Sequence, residues 1–284
     1  MTIGTFVCAC LLALAACGTA AAQTGPAAAV NIWPGVAPGS EHATQVERTY
    51  RGTPLGTVIM GVVTPTLTPF LPKKADATET GIIVAPGGAC VALAVDLEAN
   101  AIARRFQARG IAAFVLKYRI PEKKGEGIPK DLDMDVACKD GMADGIQAVR
   151  YLRQHAAQWN VSPSKIGFIG FSAGGQIASA ALLQPSLADR PDFAAFIYGA
   201  PFGAMPAIPA GLPPVFMAWA QDDPFDVMAK FYDALHAAGN KPEAHIFASG
   251  GHGFGLKKQG TTSDHWIDDF ENWLTGEGFG PTRR

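Results

Sequence analysis

Apolar residues in this chain gather in short unbroken runs rather than alternating with polar ones. Five runs stand out: "GIIVAP", "AAFVLKY", "IGFIGF", "AAFIYG" and "VFMAW". Continuous runs of this length predict strands covered on both faces, as in a parallel sheet. Stretches with helical spacing lie between them. In "VDLEANAIARRFQARG" the spacing puts Leu97, Ala101 and Ile102 on one face, with Gly110 as the stop. "CKDGMADGIQAVRYLRQHAAQW" carries Ile146, Val149, Tyr151 and Leu152 on its apolar face. "GGQIASAALLQ", "FDVMAKFYDALHAAG" and "SDHWIDDFENWL" read as further helices, and "PEAHIFASGG" as a last strand. Strands that alternate with helices imply βαβ crossovers. The predicted fold class is therefore α/β, a mostly parallel sheet with helices on both faces.

Ahead of these units, "ATQVERTYRG" and "GTVIMGVVTPTLTPFLP" read as strands, and their prolines favour edges and turns. "NIWPGVAPGS", residues 31–40, reads as an irregular arm, and "PEKKGEGIPKDLDMD" as a polar excursion. No repeat, charge block or low-complexity linker divides the chain, so one domain is expected over residues 31–280. Its 284 residues, 48% apolar and 17% charged, suffice for a sizeable core. A net charge of −2 offers no basic field for nucleic acid.

Residues 1–22 read as a leader. The first forty residues contain no Asp, Glu, Lys, Arg or His, and "TFVCACLLALAA" has the length of a signal-peptide core. It is shorter than the ~20 residues that a membrane helix needs. The basic residues that usually precede such a core are missing. "LAAC", ending at Cys17, resembles a bacterial lipobox and predicts a lipid anchor in the outer membrane. "TAAA", ending at Ala22, predicts cleavage to a soluble product instead. Both readings place the protein outside the cytoplasm, as a periplasmic protein, an outer-membrane lipoprotein or a secreted one. Beyond the leader, Cys90 and Cys138 are readable as a disulfide in an oxidising compartment or as two small buried thiols. Two cysteines fit no metal-site spacing, and no H-E-x-x-H, P-loop or strand-borne G-x-G-x-x-G occurs. No metal or nucleotide cofactor is expected.

Ligands of open parallel sheets bind beyond the carboxyl ends of the strands. "GFSAG", Gly170 to Gly174, follows one predicted strand and opens a helix, the context of a nucleophile elbow. The two glycines leave room for a tight strand-to-helix turn, and the helix amino end faces the Ser172 hydroxyl. That serine needs a base. Of six histidines only His252, in "SGGHGFG", sits in the loop directly after the last strand; the others lie before the sheet, in helices or within a strand. The base needs a carboxylate, and "AQDDPF" offers Asp222 and Asp223 after a strand. The reading favours Asp223, with Asp222 capping the following helix. Oxyanion donors are expected from the backbone of Ala173 and of the "PGGAC" loop, at Gly88 and Ala89.

These motifs, with "IWPGVAPGS", "FVLKYRIP", "PDFAAFIYGAP" and "LPPVFMAWAQDD", resemble secreted bacterial α/β-hydrolases. The resemblance is to acetyl xylan esterases and to dienelactone-hydrolase-like and prolyl-oligopeptidase-like carboxylesterases. It implies an α/β-hydrolase fold and hydrolysis of small-molecule or carbohydrate esters, often acetyl groups on plant polysaccharide. By motif it implies a triad of Ser172, Asp223 and His252. The family's P-G-G-G-Y loop reads "PGGAC" here, so Ala89 and Cys90 replace a glycine and an aromatic wall. The expected substrate contacts are Cys90, Phe171 and Phe202, with Met205 and Phe225 as further apolar tips. Only "PFGAMPAIPAGL" separates two late strands, too short for a lid of any size, so an open, shallow site for short acyl groups is expected. Lactone, β-lactam or peptide hydrolysis are the competing chemistries, and a non-catalytic envelope lipoprotein is the non-enzymatic alternative.

Overall fold

The structure is a computed structural model that describes residues 25–123 and 127–281. The leader expected over residues 1–22, with Cys17, lies outside those residues. In chain order the strands are β1 (Val30–Asn31), β2 (Arg48–Thr53), β3 (Gly56–Met60), β4 (Thr66–Phe70), β5 (Gly81–Ala85) and β6 (Leu93–Ala94). They continue as β7 (Ala112–Lys117), β8 (Ile166–Phe171), β9 (Phe193–Ile197), β10 (Val215–Ala220) and β11 (Glu243–Phe247). Six helices are labelled: α1 (Ala101–Ala108), α2 (Met134–Ala137), α3 (Lys139–Gln154), α4 (Ala173–Leu182), α5 (Val227–Ala237) and α6 (Trp266–Gly276).

Eight strands form one sheet in the order β1-β4-β7-β5-β8-β9-β10-β11. β1 and β4 are antiparallel, and every pairing from β7 to β11 is parallel. The five apolar runs become β5, β7, β8, β9 and β10, and all but Lys117 of their residues are buried. β11 closes one edge and is half-exposed. Helices cover both faces. Val149, Ile177 and Phe231 of α3, α4 and α5 share one core with Phe168. Ile102 and Phe106 of α1 share the other with Phe270 and Trp273 of α6 and Phe216 of the sheet. Each such side chain contributes about 1.5–3 kcal/mol on burial.

Three local outcomes differ from the sequence pattern. The early strands do not simply extend the main sheet: β2, β3 and β6 form a second, three-stranded sheet. The helix expected from Val95 instead begins with a π-helical turn, Asp96–Asn100. That turn buries Glu98 and Ala99 alongside Ile102, Ala103 and Phe106, and leaves Leu97 and Ala101 half-buried. α3 likewise buries Asp144 and Gln147 and leaves Ile146 and Tyr151 half-buried. The reason is polar. Asp144 accepts hydrogen bonds from the Arg119 backbone N–H, the Arg119 guanidinium and Trp33 Nε1, and so pins the irregular arm to the sheet. Arg119 also donates to Pro38 O and Ser40 Oγ.

Cys90 and Cys138 form a disulfide, which decides between the two readings of that pair. The bond joins the loop after β5 to the start of α3.

Candidate active site

Ser172 ends β8 and begins α4, with φ 49° and ψ −124°. A non-glycine residue at positive φ is strained by about 1–3 kcal/mol. Packing from both sides keeps it there. A Cβ on Gly170 would fall 2.2 Å from the Gly174 carbonyl oxygen, and one on Gly174 would fall 2.1 Å from Ala85 O. The strand and helix can approach this closely only because both positions lack side chains. The Ser172 N–H donates to Ile197 O, and Ser172 O accepts from Gly175 N, so the bend is hydrogen-bonded on each side.

The serine Oγ lies 2.7 Å from His252 Nε2, and His252 Nδ1 lies 2.8 Å from Asp223 Oδ2. Ionised Asp223 only accepts, so Nδ1 carries the ring proton and Nε2 is left to accept from the serine hydroxyl. The Asp223 side chain is 2% exposed and that of His252 is 24%. The carboxylate is therefore shielded from water while the imidazole remains reachable. Asp223 Oδ1 accepts from Phe225 N, which fixes the carboxyl plane. Asp222 does not cap α5 as the sequence reading had it, since the residue at that cap is Asp226. Asp222 instead accepts from Gly251 and Gly250 N–H, and these bonds hold its carboxyl below the usual range. Both aspartates thus serve the same loop, one at the ring and one at the backbone before it.

Gly88, Ala89 and Cys90 have φ of 129°, 54° and 53° in succession. Gly88, Ala89 and Ala173 line a cavity of about 400 Å³ that also exposes Ser172 and His252. Phe202 and Phe225 line it as well, and the Phe225 ring stands edge-on to His252. Two expected substrate contacts fail. Cys90 is buried and bonded to Cys138, so it offers no wall to a ligand. Phe171 is also buried, and its ring packs against Tyr198 and Trp266 in the core it shares with α1 and α6. Met205 is exposed and is not among the cavity-lining residues.

The cavity cover was not read from the sequence. Residues 201–212 form no helix, as their length suggests. The wall comes instead from Ile128, Pro129, Lys130, Leu132 and Met134, all within the polar excursion, and from Leu55 in the turn between β2 and β3. The open, shallow site expected above is in fact a cavity with apolar walls on several sides. Glu98 and Lys257 complete the lining. Among the described residues no cluster of His, Cys, Asp and Glu could hold a metal ion.

Residues 67–189 match the family model described as BD-FAE. The acetylxylan esterase of Xylanibacter ruminicola is 26% identical over 239 residues, 72% of this chain and 47% of that protein. The chain thus spans about half the length of that relative. Among solved structures, an acetyl ester-xyloside bifunctional hydrolase from Caldicellulosiruptor lactoaceticus superposes with a TM-score of 0.66 at 22% identity, covering 91% of this chain and 99% of that one. A thermophilic esterase of Thermogutta terrifontis gives 0.64 at 22% identity, covering 84% and 94%. That esterase has also been captured phosphorylated by paraoxon. The fold is that of an α/β-hydrolase, and the resemblance to acetyl xylan esterase-like members of that fold holds.

Proposed function

We propose that this α/β-hydrolase is a serine carboxylesterase that removes short acyl groups, acetyl foremost, from small-molecule or carbohydrate esters. The observation that carries the reading is the hydrogen-bonded series Ser172–His252–Asp223 opening into one apolar cavity. In this reading Ser172 Oγ attacks the ester carbonyl while His252 Nε2 takes its proton. His252 then gives that proton to the departing alcohol, and an acyl-enzyme remains. Water, activated by the same imidazole, attacks the acyl carbon; His252 returns a proton to Ser172 and the acid leaves. Asp223 keeps the ring in its working tautomer and balances the imidazolium charge. Backbone N–H groups of Ala173 and of Gly88–Ala89 receive the developing oxyanion, each worth a few kcal/mol of barrier lowering.

Two further observations support the substrate class, and a third the compartment. A sequence relative is an acetylxylan esterase, and a structural neighbour is an acetyl ester-xyloside bifunctional hydrolase. The cavity walls contributed by Leu55, Ile128, Leu132, Met134, Phe202 and Phe225 are apolar and suit a small acyl group. The disulfide suits an oxidising compartment, which agrees with the export read from residues 1–22.

A substrate panel tests the proposal. Purified protein is expected to release acetate from acetylated xylan and acetylated sugars. It should also turn over p-nitrophenyl acetate faster than the corresponding long-chain ester. Faster turnover of long-chain esters, or of lactones, β-lactams or peptides, contradicts the assigned specificity.

A further inference from the structure

One carboxylate beside the cavity has no place in that reaction scheme. Glu98 lines the cavity at 7% exposure, in the π-helical turn that opens toward α1. Its Oε2 accepts from Gly87 N at 2.7 Å, and its Oε1 accepts from the Tyr198 hydroxyl at 2.9 Å. The Tyr198 hydroxyl in turn accepts from Gly255 N at 3.2 Å. Tyr198 stands at positive φ, 39°, directly after β9, and its ring faces the His252 imidazole edge-on. A bulky residue in that backbone region is an outlier that the surroundings must enforce.

The two ends of this chain of bonds are the two loops that matter most. Gly87 immediately precedes Gly88 and Ala89. Gly255 lies three residues after His252. A Cβ on Gly87 would meet Glu98 Oε2 and Ser172 Cβ, each at 2.7 Å, so Gly87 is fitted closely between the carboxylate and the nucleophile's own turn. Both carboxylate oxygens are met by neutral donors, and burial pushes the Glu98 carboxyl up from its ordinary value. Keeping a buried acid there costs stability, which a residue of no use to the site would not justify.

We propose that Glu98 is a positioning residue: it joins the oxyanion loop at Gly87 to the histidine loop at Gly255 through the Tyr198 hydroxyl. The role rests on the esterase reading above. Glutamine is nearly isosteric but presents one acceptor oxygen and one NH₂ group. The NH₂ must face either the Gly87 N–H, which breaks that link, or the Tyr198 hydroxyl, which already accepts from Gly255 N and must then turn its proton away, so the series is weakened at one point. Tyr198→Phe removes the hydroxyl that joins Glu98 to Gly255 and keeps the ring in its core.

Steady-state hydrolysis of p-nitrophenyl acetate by the full-length protein tests this. Wild type is measured first, with Ser172→Ala as control; no turnover, or turnover that survives Ser172→Ala, defeats the esterase reading and this proposal together. With an active wild type, only the role of Glu98 is at stake. Glu98→Gln is expected to lower kcat about 10²-fold, the scale of an ångström-level misplacement of reacting groups. KM should stay within about threefold, because the ground-state ester does not depend on the link. Tyr198→Phe should lower kcat by about 10-fold with the same KM pattern, and the double variant should be no slower than Glu98→Gln alone. Wild-type kcat in Glu98→Gln, a loss confined to KM, or losses that multiply in the double variant overturn the proposal. If circular dichroism shows that Glu98→Gln does not fold, Tyr198→Phe decides alone: a kcat loss at constant KM supports the link, and wild-type kcat overturns it.

Discussion

Neighbouring aspartates with different partners show how little separates the proposed catalytic carboxylate from a supporting one at the residue scale. Asp223 meets the imidazole, whereas Asp222 meets the backbone of the two residues before it, Gly250 and Gly251. Chain order alone brought out both, since they follow a strand and precede His252, but order cannot tell which carboxylate turns inward. We expect Asp223→Asn to lower kcat by about 10³–10⁴-fold, because an amide favours the wrong tautomer. Asp222→Asn should cost far less; comparing kcat/KM of the two variants on one ester checks this. Phe171 failed as a wall for a related reason. It lies on the same strand face as Ile169, and both belong to the core under α1 and α6. Glu98 was passed over because a single acid in a helical stretch normally faces water. Its burial gives a pH signature. The folded-state carboxyl titrates above 4.5, the ordinary value, chiefly through desolvation. As pH rises past that value the unfolded chain ionises first, so stability falls until the folded carboxyl also ionises. Urea titrations at several pH values should show Glu98→Gln gaining stability relative to wild type across that window. A pH-independent difference would refute the assignment.

Among the elements, the loop after β5 carries the most strain and the most restraint. Ala89 and Cys90 both sit at positive φ, where side chains are disfavoured, and three ties hold them. Val91 and Ala92 N–H donate to Gly88 O, Glu98 accepts from Gly87 N, and the disulfide fixes Cys90 to Cys138. The sequence announced the loop through its glycines, and the strands through unbroken apolar runs. It did not announce the longer-range ties: Cys138 is 48 residues from Cys90, and Glu98, which holds Gly87, is itself bonded to Tyr198, 100 residues on. The same limit hid the cavity cover. A polar stretch reads as a surface excursion, and nothing local says that Ile128 and Leu132 turn onto the site. Cutting the disulfide should release the loop. Cys138→Ser is expected to lower unfolding free energy by about 2–4 kcal/mol in urea titration and to lower kcat. Unchanged stability and turnover would show that the remaining bonds suffice.

For the molecule as a whole, one sheet organises everything described above. Five buried parallel strands deliver their carboxyl ends to a common edge, so loops after β5, β8, β10 and β11 meet although their residues span 87 to 252. This much was readable in the alternation of apolar runs and helical spacings, because parallel strands buried on both faces leave a pattern that few other arrangements produce. The second sheet and the arm held by Asp144 were less legible, since their placement depends on contacts with the finished core. The central claim is that the fold activates one hydroxyl, that of Ser172, for covalent acyl transfer. A fluorophosphonate probe measures this directly: it should label the wild-type protein with a stoichiometry of about one and map to Ser172. Labelling should disappear in both Ser172→Ala and His252→Ala. Absence of labelling in folded wild-type protein, or labelling that persists in Ser172→Ala, would contradict the account.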